Sequence, residues 1–386
     1  MPRIRDCVVV VILIIGIHAC PPAAFAWISV MDDAPALSER VGHGRTEVFS
    51  SLRGFAGNDW TAVSGITGNW SGRYSPRSGR NLAIGFVQGE VGVGHGAWRI
   101  SYVNRQEAIV DASRDTLDLI YLEKNNLPIA VGRRFDLHLD AEVFKAEGLK
   151  VDRAFELYRG EFSALRASVG AAFLKGSYTR SSDLKGIVTA TGANQFSFDV
   201  AWNDIYSEKT FRFIKAGSPD GTGYAVDAAV EFEWDHFNRL SLSVADLYAR
   251  IAWRDVPATM ERANSATATR DAQGFIVYQP AIVGQNSRTD YIQHLDPKTT
   301  FQYSRALGPV SIGAGALVVR GIVIPRISIE FRPDAAWRFG IDHDFRFGSV
   351  GLALKYKLLS VAVSSELRGL DNSRSLGVAA QLLMPF

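Results

Sequence analysis

From Trp337 to Phe347 the odd positions read Trp337, Phe339, Ile341, His343, Phe345 and Phe347, and the even ones read Arg338, Gly340, Asp342, Asp344 and Arg346. Side chains alternate across a strand, so this period of two predicts an apolar face backed by a charged one. The same beat returns in Val350–Leu358, in Val323–Phe331, in Tyr224–Trp234, in Phe196–Trp202 and in Phe135–Val143. Several of these runs hold about ten residues, whereas strands of soluble proteins usually hold about 5–6. Ten tilted residues match the hydrocarbon thickness of a bilayer. Turn chemistry separates the runs, as in Gly217-Ser218-Pro219-Asp220-Gly221, Arg332-Pro333-Asp334 and Leu370-Asp371-Asn372-Ser373.

Roughly 14 to 16 such runs follow residue 46. The expected fold is therefore all-β, a transmembrane antiparallel up-and-down β-barrel of about 16 strands over residues 46–386. Alternation lapses between Val256 and Thr289, which predicts a long loop outside or inside the lumen and a candidate gate. Residues 27–45 are also irregular and suit a periplasmic lead or a small plug. No apolar run is long enough for a membrane-crossing helix, leaving the closed barrel as the structure that satisfies its own backbone in lipid.

Composition narrows the class further. The 42 Lys plus Arg nearly balance the 40 Asp plus Glu, which excludes the broad basic field that nucleic-acid binding needs. Arg3 and Arg5 precede an apolar run from Val8 to Ile17 and then Ala24-Phe25-Ala26, the pattern of a cleaved secretory signal over residues 1–26. Ile17-His18-Ala19-Cys20 offers a rival cut that loosely resembles the lipobox of bacterial lipoproteins. Both cysteines, Cys7 and Cys20, fall in that leader, so the expected mature chain carries no disulfide or thiolate metal site.

The final residues Leu376, Val378, Ala380, Leu382, Met384 and Phe386 form one apolar face ending on a terminal phenylalanine. This resembles the C-terminal assembly signal of bacterial outer-membrane β-barrel proteins. The resemblance implies a Gram-negative outer-membrane location, and Leu382, Met384 and Phe386 as the residues read by the barrel-assembly machinery. Pro385 departs from the pattern; it cannot donate a ladder hydrogen bond, which predicts that the last two residues project beyond the sheet.

Candidate chemistry is sparse. Asp342-His343-Asp344 suggests a metal or catalytic cluster, but strand geometry turns His343 away from both aspartates. Asp136, His138, Asp140 and Glu142 share a face, as a solvated wall with cross-strand ion pairs would. Gly92-Val93-Gly94-His95-Gly96 precedes an alternating run and no helix, so it reads as a hairpin and not a phosphate loop. No catalytic residue, metal or cofactor is expected.

The inward charges carry the functional lead: Arg326, Arg332, Arg338 and Arg346 with Glu330, Asp342 and Asp344 on one wall, and a wholly acidic wall of Asp227, Glu231, Glu233 and Asp235. Opposed walls create a transverse field in a wide pore or close a narrow one. Trp98, Trp202, Trp234, Trp337 and Tyr356 suit the two interfacial girdles. The expected function is a polar pore for a hydrophilic solute or polymer, surrounded by outer-membrane lipid. Two alternatives are a closed structural or docking barrel displaying its loops, and a soluble carbohydrate-binding β-sandwich.

Overall fold

The computed structural model describes Leu37 and residues 46–386, except 69, 71–72, 193–194, 212–218, 267, 271–275 and 279–280. The expected leader, and the expected lead or plug apart from Leu37, lie outside the described residues.

The alternating runs become long antiparallel strands. In chain order these are β1 (Thr46–Asn58), β2 (Arg80–His95), β3 (Trp98–Ser113), β4 (Arg134–Arg159), β5 (Ser163–Gly192), β6 (Gln195–Tyr206), β7 (Asp220–Trp234) and β8 (Asn238–Asn264). A small hairpin follows, β9 (Ala268–Arg270) with β10 (Ile276–Tyr278), and then β11 (Ile282–His294). The chain ends with β12 (Lys298–Leu307), β13 (Val310–Val319), β14 (Ile322–Phe331), β15 (Trp337–Asp344), β16 (Val350–Tyr356), β17 (Leu359–Ser365) and β18 (Ser375–Pro385). Neighbours pair antiparallel from β1 to β5, through β7 and β8, and from β12 to β18. The last strand then pairs with the first, Glu47 opposite Pro385 through Gly57 opposite Ser375.

The result is a closed ring of fourteen strands, which overturns the sandwich alternative. Strands β6 and β11 add to the same sheet only beside the upper parts of β5 and β8, bringing it to 16 strands. Phe386 donates its amide to Thr46 O at 2.8 Å, and Pro385 sits in register with Glu47. The expected projection of the last two residues does not occur: they stay paired along the seam.

One end of the barrel carries tight turns, such as those after His95, Leu307 and Tyr356, together with both Thr46 and Pro385. The other carries the loops 59–79, 345–349 and 366–374 and the helix α1 (Arg114–Lys124). Ser113 caps that helix by accepting the Thr116 amide at 3.2 Å, Asp115 lies in its first turn and Lys124 in its last. The wall is uneven: β4, β5 and β8 run 26, 30 and 27 residues, while β15, β16 and β17 run 8, 7 and 7.

The expected Val256–Thr289 loop is corrected accordingly. It holds the upper part of β8, the β9–β10 hairpin and most of β11. Val256, Pro257, Ala258 and Thr259 are all buried there, so burial on both faces erases the two-beat pattern.

Outward positions are apolar and exposed, with Ile100 at 54%, Ile329 at 54%, Ile341 at 55% and Leu352 at 52% exposure. Trp98, Trp234, Trp337 and Tyr356 collect at the turn end, the Trp337 and Tyr356 ring centroids 4.3 Å apart with the planes tilted by 40°. Trp202 departs from this expectation. It is 8% exposed and packs at the loop end against the α1 residues Leu117 and Ile120 and against Leu137 and Leu184, a hydrophobic cluster that clads the taller wall.

Candidate functional site: the lumen

Register fixes which side chains meet inside the ring, because directly paired residues share a face. Arg99, Arg105 and Glu107 on β3 point inward with Lys150 and Asp152 on β4, Asp227 and Glu231 on β7, and Lys298 on β12. All of these but Arg99 line a cavity of about 340 Å³. Its opposite wall adds hydrogen-bonding groups, Ser241 and Ser243 on β8, Thr300 and Gln302 on β12, Ser311 on β13 and Ser328 on β14, beside the charged Arg239, Glu330, Arg332 and Arg338. A second cavity of about 400 Å³ lies at the turn end and shares Arg239, Ser304, Ser311 and Arg332 with the first. Leu37, the one described residue ahead of β1, lines the first cavity and is 9% exposed.

Toward the loop end the lumen narrows onto a lattice of buried ion pairs. Asp246 accepts from Arg105 Nη1 at 2.8 Å and Nη2 at 2.6 Å, and from Lys298 Nζ at 2.8 Å. Lys298 also reaches Glu107 at 2.9 Å, so β3, β8 and β12 are tied across the interior. Asp246 enters through a β-bulge, where Ala245, Asp246 and Leu247 oppose the single residue Asp227, and its φ is 57°. Its amide donates to Asp227 Oδ1 at 2.9 Å, and Asp227 in turn accepts from Lys150 at 2.7 Å.

Two apolar clusters fill the lumen beyond that lattice. One joins Val103, Phe144, Leu174, Ile251, Trp253 and Leu295. The Trp253 ring lies flat on the wall, since a Cβ at Gly176 or Gly221 would come within 2.4 Å or 2.6 Å of it. The other bridges opposite walls, joining Phe55, Leu82 and Ile109 to Val319, Ile324 and Phe347. Above them residues of the 59–79 segment are fastened to the loop-end rim of the short wall: Asp59, which also accepts from Arg77 at 3.0 Å, pairs with Arg346, and Arg73 forms a bidentate pair with Glu366. Burial alone would raise the Glu366 pKa, but the Arg73 hydrogen bonds outweigh it and hold the carboxyl below its ordinary 4.5.

Most of the expected inward charges do face the lumen. Asp227, Glu231, Glu330, Arg332 and Arg338 line the first cavity, Glu233 the second, and Arg326, Asp342 and Asp344 are inward and buried. Two do not belong to the wall. Asp235 lies in the β7–β8 turn, and Arg346 lies in the loop after β15 on Asp59.

The acidic wall is also not free to cast a field. Glu231 and Glu233 both pair with Arg166 of β5, at 3.2 and 2.6 Å, and Glu233 with Arg239 at 2.7 Å. Alternation within one run cannot reveal charges that neighbouring strands bring beside it, which is why Arg105, Glu107, Lys150, Arg166 and Lys298 stayed hidden; Asp246 stayed hidden because it sits in a bulge.

The candidate metal ladders resolve into protein contacts. Asp140 pairs with Arg320 at 2.8 Å, and Glu142 accepts from Ser181, Tyr291 and Gln293. His343 faces outward against Phe345, away from both aspartates. Among the described residues no group of three His, Cys, Asp or Glu is placed to hold a metal.

No known protein family matches the chain, and no curated sequence does. Solved structures similar to it include the TodX deltaS2S3 mutant monoaromatic hydrocarbon channel, with 9% identity, TM-score 0.41, and 94% of this chain and 95% of that one covered. A Pseudomonas aeruginosa FadL homologue matches at 10% identity and TM-score 0.32 over 88% of each chain. The translocator domain of the autotransporter NalP from Neisseria meningitidis matches at 8% identity and TM-score 0.27 over 91% of each. At such values the likeness carries no argument about this chain, whose fold rests on its own ring closure. These neighbours are bacterial outer-membrane β-barrels, and this chain is by its own strand pairing a closed β-barrel.

Proposed function

We propose that this chain resides in a bacterial outer membrane and conducts small hydrophilic solutes through its lumen, and that the conformation described here is the closed state. The observation that carries the reading is the inversion of the wall, apolar outside and charged or hydroxyl-bearing around a 340 Å³ cavity inside. Each large apolar side chain left in water forgoes roughly 1.5–3 kcal/mol, a loss that hydrocarbon around the barrel removes. On β7 the outward residues from Tyr224 to Trp234 are uncharged over ten positions. That is ~33 Å of strand, or about 23 Å of membrane at a tilt near 45°.

Within this reading the lumen-facing residues Asp227, Glu231, Glu233, Arg326, Glu330, Arg332, Arg338, Asp342 and Asp344 tune the passage of ions. Leu382, Met384 and Phe386, which face outward at the seam, are the residues offered to the assembly machinery. The Asp246 lattice and the two apolar clusters act as the gate, in place of the loop expected from sequence. The seal also favours the docking-barrel alternative, and conductance separates the two. In planar bilayers the wild type should show brief openings, and Phe55→Ala with Phe347→Ala should lengthen them several-fold by emptying the upper seal. Absence of ion flux from both proteins, each folded by gel mobility, overturns the channel and leaves the docking reading.

A further inference from the structure

The outward face changes character at one level. Below it the outward residues of β5 are Leu165, Ala167, Val169, Ala171 and Phe173, and those of β7 and β8 are equally uncharged. Just above it come Lys145 on β4, Lys175 on β5, and Arg250 and Arg254 on β8. Register puts them side by side: Lys175 lies opposite Thr222, which lies opposite Ala252, between Arg250 and Arg254. Lys145 lies opposite Tyr178. Four adjacent strands span about 15 Å, so the four cations form one patch on the outer wall.

These cations are held differently from those in the lumen. Inside, Arg105, Lys150, Arg166 and Lys298 are each bonded to carboxylates. Outside, Arg250 lies 5.3 Å from the Tyr224 ring and Lys145 5.3 Å from the Tyr178 ring, while Lys175 and Arg254 are exposed. Among the described residues none of the four forms an ion pair, although Glu147 and Asp220 lie opposite Lys175 and Arg254 in register. Glu147 is engaged by the Tyr102 hydroxyl at 2.5 Å. A cation resting on a ring keeps its N–H donors available, and guanidinium and ammonium donors match phosphate oxygens.

We propose that this patch binds the phosphate-bearing headgroup of a lipid in the leaflet at the loop end, its acyl chains lying along Phe173, Tyr224 and Tyr248. The site rests on membrane residence but not on conduction. The charges begin where the apolar band stops, at headgroup height, so a lipid satisfies phosphate and apolar contacts together and a free anion satisfies only the first.

The test is native mass spectrometry of the folded barrel in a zwitterionic detergent, titrated with diphosphoryl lipid A, its dephosphorylated form, phosphatidylcholine or inorganic phosphate. Diphosphoryl lipid A should bind at least about tenfold more tightly than the dephosphorylated form or phosphatidylcholine. The variant Lys145→Gln, Lys175→Gln, Arg250→Gln and Arg254→Gln should lose that preference. A control, Lys185→Gln with Arg262→Gln, removes two cations already paired with Asp183 and Asp199 and should keep it. Equal binding by the fourfold variant, absence of a lipid preference, or displacement of the lipid by millimolar inorganic phosphate overturns the site. Because the readout needs no current, a barrel that binds the lipid without conducting refutes only the channel, and one that conducts without binding refutes only this site.

Discussion

Replacing Asp246 by Asn tests whether the buried lattice holds the lumen shut. The carboxyl has no exposed surface and accepts three hydrogen bonds, two from Arg105 and one from Lys298. The amide keeps the shape but leaves two cations facing Glu107 alone, an uncompensated charge in a site with little water. Removing one partner of such a buried set costs about 3–5 kcal/mol, against about 0–1 kcal/mol for a surface pair. Adding Arg105→Gln restores the balance and should recover part of the loss, with a coupling of roughly 0.5–3 kcal/mol. Denaturant titration of the folded band on unheated gels gives the stability of Asp246→Asn, Arg105→Gln and the double variant, and bilayer recordings give their open times. Asp246→Asn should be the least stable and open longest. A cost below about 1 kcal/mol, or additive single effects, would refute the claim that these ion pairs bind the walls together.

Two further outcomes follow from the wall and the rim. Ile341→Arg places a charge on the outward face at 55% exposure; in a bilayer it should cost about 2–4 kcal/mol near the midplane, and a negligible effect in lipid vesicles would argue against immersion there. At the rim, Glu366 has a folded pKa below its ordinary 4.5, so its stabilising pair with Arg73 is fully present above that value and is lost as pH falls through the folded one. Loop 59–79 should therefore become protease-sensitive only in strong acid, whereas Glu366→Gln should make it sensitive at neutral pH; a pH-independent cleavage pattern in the wild type would contradict this.

The short wall was the most legible part of the sequence. In β14 to β18 one face meets the surroundings and the other the lumen, and nothing else acts on those residues, so alternation is clean. The tall wall was harder to read. Above the apolar band Val110, Leu137 and Leu184 are covered by α1 and its neighbours, and Val256 and Ala258 are buried on the other side, so polarity no longer marks direction. Asp246 was hidden for another reason: a bulge turns it inward against the beat of its own strand. The individual charges were readable on each run. Their neutralisation was not, because Arg166 beside Glu231 or Lys298 beside Asp246 depends on which strands become neighbours.

The seam between β1 and β18 also constrains how the molecule is made. Its partners stand at positions 47 and 385, so no shorter product of synthesis possesses a continuous wall, and every earlier stage carries two open edges. Such edges invite pairing with other chains, and contacts this remote in sequence form slowly. The polypeptide must therefore stay unsealed, and be kept from its own kind, until the strand ending at Pro385 arrives, which makes loss of part of either seam strand, Thr46–Asn58 or Ser375–Pro385, a defect of assembly before any other.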